Sequence, residues 1–297
     1  MDANVAAQQV QALYNSGAAL ASAYSGEYSL MSSVLFNNGP VPPGKVDPTT
    51  IPITLTANTK LKTGSVINVG GLKEVKGCAD PFTMQYADNF PMWDVAWGRL
   101  TPNQISQLNR LVILNEYIQT RTPYLKKVQS SNAASHILRT MLQAIKGVKF
   151  FGAFGNAKSR MVVVISTDTC VSGLAGLLNV NWQLPGYQQD YCALGGALVF
   201  ELRQKRNSYL VRVYYTAQTI DQLRNLTPLS ISNPPATIQI LVPDGSKSDT
   251  NLDIDFHVFN RLLTKAIGRE YVPRKEIPPD VLTGVICKEE TEDPWEE

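Results

Sequence analysis

Cysteine and histidine are both scarce in this chain, and its charge is nearly balanced. The 297 residues carry 4 cysteines, Cys78, Cys170, Cys192 and Cys287, too few and too scattered for a disulfide framework or a CxxC metal site. Free thiols are expected, Cys170 and Cys192 being the pair that the strand reading below could bring together. The 2 histidines, His136 and His257, each stand alone in a helical stretch, where such residues are packed or solvated. Neither a metal nor another cofactor is implied. A net charge of +2, from 27 basic and 25 acidic residues, supplies no global field to hold nucleic acid or an anionic membrane, so any anion site must be local. No stretch approaches the ~18 apolar residues of a membrane-spanning helix. Met1 to Val10 has neither the basic patch nor the apolar run of a secretory signal, so no signal peptide is expected and the compartment is unassigned.

What is present suits a folded chain: 44% of the residues are hydrophobic, enough to bury a sizeable core. Residues 5–23 are rich in Ala and Gln with helical spacing, and Pro40, Pro42 and Pro43 then read as a loop. Thr101-Pro102-Asn103-Gln104 is a helix start: the hydroxyl caps an orphan amide, proline takes the first helical position and Gln104 reaches back. Ile105, Leu108, Leu111, Val112 and Ile118 follow on one face. After Arg121-Thr122-Pro123 a second helix is expected to about Ile145, with Gly147 at its end.

Met161-Val162-Val163-Val164-Ile165 is a short β-branched run, the pattern of a strand covered on both faces in a mainly parallel sheet. In such sheets ligands gather at the carboxyl ends of strands, which points to Ser166-Thr167-Asp168-Thr169-Cys170, ahead of an apolar helix from Val171 to Leu178. Ala197 to Leu202 and Tyr209 to Tyr215 flank a polar stretch and predict a hairpin, and Thr237 to Val242 predicts a further strand. Residues 252–267 resume helical spacing through Ile254, Val258, Leu262 and Ile267. The tail is punctuated by proline and acidic from Glu289 to Glu297, the composition of an exposed extension or a partner-binding strip rather than of core.

Several short signals resolve into ordinary structure. Gly152-Ala153-Phe154-Gly155 lacks the Lys-Ser/Thr that a phosphate loop needs and reads as a turn. Asn225-Leu226-Thr227 is a glycosylation sequon that matters only in a secreted protein. Cys170 begins a helix, but Val171-Ser172-Gly173-Leu174 supplies no arginine-ended phosphate loop for a cysteine nucleophile.

Longer segments, taken in order, are Trp97-Gly98-Arg99-Leu100-Thr101, Arg121-Thr122-Pro123, Ala134-Ser135-His136-Ile137-Leu138, Asn181-Trp182-Gln183-Leu184-Pro185-Gly186, Gly195 through Glu201 and Gln222 through Leu229. Together they resemble the bacterial phytase and glucose-1-phosphatase branch of the histidine acid phosphatases, over about Ile53 to Ile267 and roughly the C-terminal two-thirds of such a protein. The resemblance implies an α/β fold, a partial histidine-phosphatase fold with a mainly parallel sheet flanked by helices and a helical sub-region. It divides the chain into an N-terminal helix and Pro-rich loop at 1–51, the α/β region at 52–268 and the acidic extension at 269–297.

The resemblance also implies a chemistry that this chain has lost. The family uses a histidine nucleophile in an Arg-His-Gly-x-Arg-x-Pro stretch, which the sequence does not contain. At the end of the central strand the family carries a His-Asp pair, phosphate ligand and general acid; here it reads Thr167-Asp168. Asp168 is therefore a vestigial general acid, and Thr167 stands in place of the histidine. A hydroxyl offers one uncharged donor, and charge-assisted hydrogen bonds are roughly twice as strong as neutral ones. A surviving phosphate or inositol phosphate ligand would need converging cations, for which Arg99 and Arg121 are the candidates.

The expected function is a catalytically inactive relative kept for binding or assembly. Its partner is expected to be another protein chain covering the sheet edge at 161–165, since the family's neighbouring strand comes from the part without a match here. The alternative is the C-terminal piece of a split or processed acid phosphatase or phytase. No nucleic acid and no membrane span is expected.

Overall fold

The structure is a computed structural model that describes residues 23–36, 58–60, 66–68, 72–248 and 250–273. Residues 5–22 of the expected N-terminal helix, the Pro-rich loop, the acidic tail and Cys287 lie outside the described residues. The described chain divides into two compact units that interleave in sequence.

The first unit takes the described residues up to Thr122, then Trp182–Ala197 and Tyr215–Ile238. Its helices are α1 (Ser25–Phe36), α2 (Leu72–Ala87) and α3 (Pro102–Arg121), with a small hairpin of β1 (Asn58–Lys60) and β2 (Val66–Asn68) between the first two. Helix α3 starts as its sequence dictates: Thr101 accepts from the Gln104 amide, the Gln104 side chain accepts from the Thr101 amide, and Pro102 fills the first position. The five apolar residues that predicted its buried face are all buried. Helix α2 locks onto it through Thr83, whose hydroxyl donates 2.8 Å to Asn109 in a buried setting, and through Lys76, 3.1 Å from Glu116. Helix α1 contributes Met31 and Val34 to the core and pairs Glu27 with Arg110.

The second unit takes Pro123–Asn181, Leu198–Tyr214 and the described residues from Gln239 onward. Helix α4 (Pro123–Lys146) is its spine, packed by α5 (Asp168–Leu178) and α7 (Phe256–Ala266). The Lys126 ammonium donates 3.0 Å to the Gly176 carbonyl in the last turn of α5, where a cation suits the helix dipole. Asn179 ends α5 in the left-handed conformation that asparagine tolerates. On α7 the buried residues are Phe256, Phe259, Asn260 and Leu263; of the four residues its spacing singled out, Ile254 and Ile267 at its ends are buried and Val258 and Leu262 are half-buried.

Strands β3 (Ala197–Lys205) and β4 (Ser208–Ala217) form the predicted hairpin, its turn placed by Arg206 at φ 54°. Helix α6 (Ile220–Arg224) follows, and β5 (Ala236–Gln239) and β6 (Ile254–Asp255) complete the sheet. The strand order is β3-β4-β5, with β6 pairing antiparallel to β4 through Leu210 with Asp255 and Val211 with Ile254.

The mixed helix and sheet class stands, with two corrections. The sheet among the described residues is open and antiparallel rather than mainly parallel. Residues 161–165 form no strand: 161–167 are irregular, because no described strand lies alongside to complete a ladder. No helix among the described residues is long and apolar enough to cross a membrane.

Candidate functional site

Two candidate residues, Thr167 and Asp168, meet at the start of α5. Thr167 is the N-cap, in extended backbone at φ −91° and ψ 164°, yet its hydroxyl makes no capping bond. Asp168 opens the helix, and its carboxylate accepts from the Thr169 amide at 2.8 Å and from the Thr169 hydroxyl at 3.3 Å. A carboxylate in a first helical turn is favoured by the dipole, which gives Asp168 a local structural use. Both residues are exposed, and Cys170, one turn on, is a half-buried free thiol.

Helix α4 is tied to the stretch that precedes this pair in sequence. One face of that helix grips the loop after it: His136 Nδ1 pairs with the Gly152 carbonyl, Arg139 donates 2.7 Å to the Phe151 carbonyl, and Gln143 bonds both the Phe150 amide and the Phe154 carbonyl. The Thr140 hydroxyl accepts from the Phe154 amide, and the His136 ring lies on Phe154 at 4.9 Å. Gly152 and Gly155 both have positive φ, 73° and 66°. The glycine stretch is the expected turn, and His136 is a loop anchor. His257 is exposed at the start of α7, its amide donating to the Asp255 cap.

Arg99 and Arg121 belong to the first unit, and each is engaged there. Arg99 donates 2.9 Å to the Val34 carbonyl. Arg121 is buried, 3.5 Å from Asp190 and over the Tyr117 and Trp182 rings at 5.9 and 5.5 Å.

Asp190 was not singled out by the sequence. It accepts from the Trp182 amide at 2.9 Å and faces Arg121, and burial pushes its carboxyl above the ordinary range against the opposing pull of that guanidinium. Around it Trp182 stacks on Tyr215 at 4.5 Å, and the Tyr215 hydroxyl accepts from the Ala193 amide. Burial and the nearby Asp221 push the Tyr187 phenol up to about 12. No periodic signal marks Asp190, which lies in a turn at φ 61°. Among the described residues no group of three His, Cys, Asp or Glu side chains is placed to hold a metal ion.

No protein-family profile matches the chain. Over 192 residues it is 31% identical to the phytase AppA of Escherichia coli, a match spanning 63% of this chain and 43% of that protein. It is 27% identical over 202 residues to a glucose-1-phosphatase of Providencia rettgeri, spanning 67% of this chain and 46% of that one. Among solved structures, a Klebsiella phytase superposes with a TM-score of 0.69 at 22% identity, over 92% of this chain and 66% of that one. A Hafnia alvei phytase in complex with tartrate gives 0.63 at 26% identity, over 91% and 66%. The matches with these curated relatives thus span less than half of their length.

Proposed function

We propose that this chain is a catalytically inactive relative of the histidine acid phosphatases, retained for binding or assembly with a partner chain. The observation that carries this reading is Thr167. It stands exposed immediately before Asp168 at the start of α5, where the resemblance calls for an imidazole. The replacement is internal to the matched region, so it is independent of any segment before Met1.

The chemistry follows from what each side chain can do. A threonine hydroxyl has no positive charge to set against a phosphoryl dianion, and loss of charge-assisted bonding weakens phosphate binding. Asp168 can still hold a proton, but general-acid assistance needs a nucleophile to displace the leaving group. His136 is turned to the Gly152 carbonyl, and His257 stands on α7 with no arginine-glycine loop beside it. Arg99 and Arg121 are engaged within their own unit, which argues against a strong inositol phosphate site built on them.

Trapping a phosphoryl-enzyme is the corresponding test. Chain mixed with an aryl phosphate at acidic pH and then quenched in alkali, where a phosphohistidine survives, is expected to carry none by mass spectrometry. Phosphorylation of His136 or His257 would refute the reading. The alternative, one piece of a split phosphomonoesterase, draws on the retained Asp168 and predicts a co-purifying polypeptide that carries Arg-His-Gly-x-Arg-x-Pro.

A further inference from the structure

The near-balance of charge over the whole chain conceals a separation. In the second unit, residues 123–181, 198–214 and 239–273 carry 15 basic and 7 acidic residues, whereas residues 274–297, which lie outside the described residues, carry 3 basic and 8 acidic. Six of those acids fall within Glu289–Glu297, which has no basic residue. A surplus of this size sets up a local positive potential that the net charge of +2 does not reveal.

Part of that surplus is organised around α7. Arg261 and Lys265, four residues apart, share an exposed face of the helix, and Arg269, also exposed, follows four residues on. Lys127 of α4 joins them from the side. Its Cβ lies 3.4 Å from the position that a Cβ on Gly268 would take, and Tyr124, one turn earlier on α4, packs edge-on against Tyr271 at 6.0 Å. Lys265, in the last turn, suits the helix dipole, which accounts for one cation of the four. From Phe256 to Pro273 the one acidic residue is Glu270.

We propose that this basic strip is the docking surface of the chain's own acidic segment, Glu289–Glu297. The two match in sign and in density: four cations on one strip meet six carboxylates in nine residues. The connection between them is long enough. Arg261 to Arg269 covers about 12 Å at the helical rise, and the 16 residues from Pro273 to Glu289 can span up to about 50 Å. The segment therefore reaches back over the helix that leads into it. Tethering sets its effective concentration on the order of millimolar, at which exposed ion pairs that are each worth little suffice together. The strip is thus occupied from within the chain, and an external polyanion has to displace the segment before it can bind there.

Zero-length carbodiimide cross-linking of the full chain at low micromolar concentration, read by peptide mass spectrometry of the monomer band, tests the proposal. Peptides from Glu289–Glu297 are expected to be joined to Lys127 or Lys265 at least about fivefold more often than to Lys205, an exposed lysine at the end of β3 in the same unit. The preference should vanish in 1 M sodium chloride, where the screening length falls to about 3 Å. Arg261→Glu with Arg269→Glu leaves both lysines in place and should lower the joined yield by about fivefold or more, with an unchanged circular dichroism spectrum. Equal joining to Lys205, or a yield indifferent to the two arginine substitutions, overturns the strip as the docking surface. Joined peptides confined to a dimer band overturn docking within one chain. The phosphohistidine result is independent of all of these outcomes.

Discussion

The Arg121 guanidinium stands 3.5 Å from the Asp190 carboxylate, and both are almost fully buried. Asp190 also holds the Trp182 amide, so one carboxylate serves a charge and a backbone donor. Asp190→Ala should take one carboxylate from a buried cation and the acceptor from the Trp182 amide, destabilising the chain by about 3–5 kcal/mol. Urea denaturation checks it; a loss below about 1 kcal/mol would show that the charge is relieved elsewhere.

The same carboxylate gives a pH dependence of defined sign. Its folded pKa lies above the ordinary value because burial outweighs the pull of Arg121. The folded state therefore holds more protons than the unfolded one, and this group's contribution is fullest below about pH 4 and falls as pH rises through the folded pKa. Asp253 works the other way: the Arg212 hydrogen bond at 2.8 Å lowers its pKa, so its contribution is present above about pH 4 and lost on acidification. In thermal melts from acid to neutral pH, Asp190→Asn should remove the falling component and Asp253→Asn the rising one.

Gly196 has no room for a methyl group: an added Cβ would lie 2.1 Å from the Tyr215 hydroxyl oxygen, the acceptor for the Ala193 amide. Gly196→Ala should cost about 1–3 kcal/mol through displacement of that ring. Near-ultraviolet circular dichroism of the Trp182–Tyr215 stack should change with it.

Arg139 ties the Phe151 carbonyl to α4. Arg139→Ala should release the 150–155 turn while leaving the helix in place, seen as faster proteolytic nicking between Phe151 and Arg160. Unchanged nicking would assign the hold on the turn to Gln143 and Thr140.

The helices were legible because their signals are local. The Thr101–Gln104 capping box and the apolar face from Ile105 to Ile118 need only one turn of chain to be read, and the hairpin needs only its two runs and the polar turn. Residues 161–165 were misread as a covered strand, because β-branched composition reports what a segment would bury and not whether a neighbour is there. The sheet direction was missed for the same reason, since strand pairing is a long-range property. Thr167 and Asp168 are candidates through the resemblance alone, whereas Asp190, in the first unit, owes its setting to contacts with Arg121 and Trp182 that no spacing encodes. The engagement of Arg99 with the Val34 carbonyl was equally invisible.

Phosphomonoesterase turnover of an aryl phosphate at acidic pH, with the chain compared against Asp168→Asn and Thr167→His, tests the central claim most directly. The account predicts no turnover above background for all three, because restoring an imidazole at 167 supplies a phosphate ligand and no nucleophile. Turnover by the unaltered chain that Asp168→Asn abolishes would contradict it.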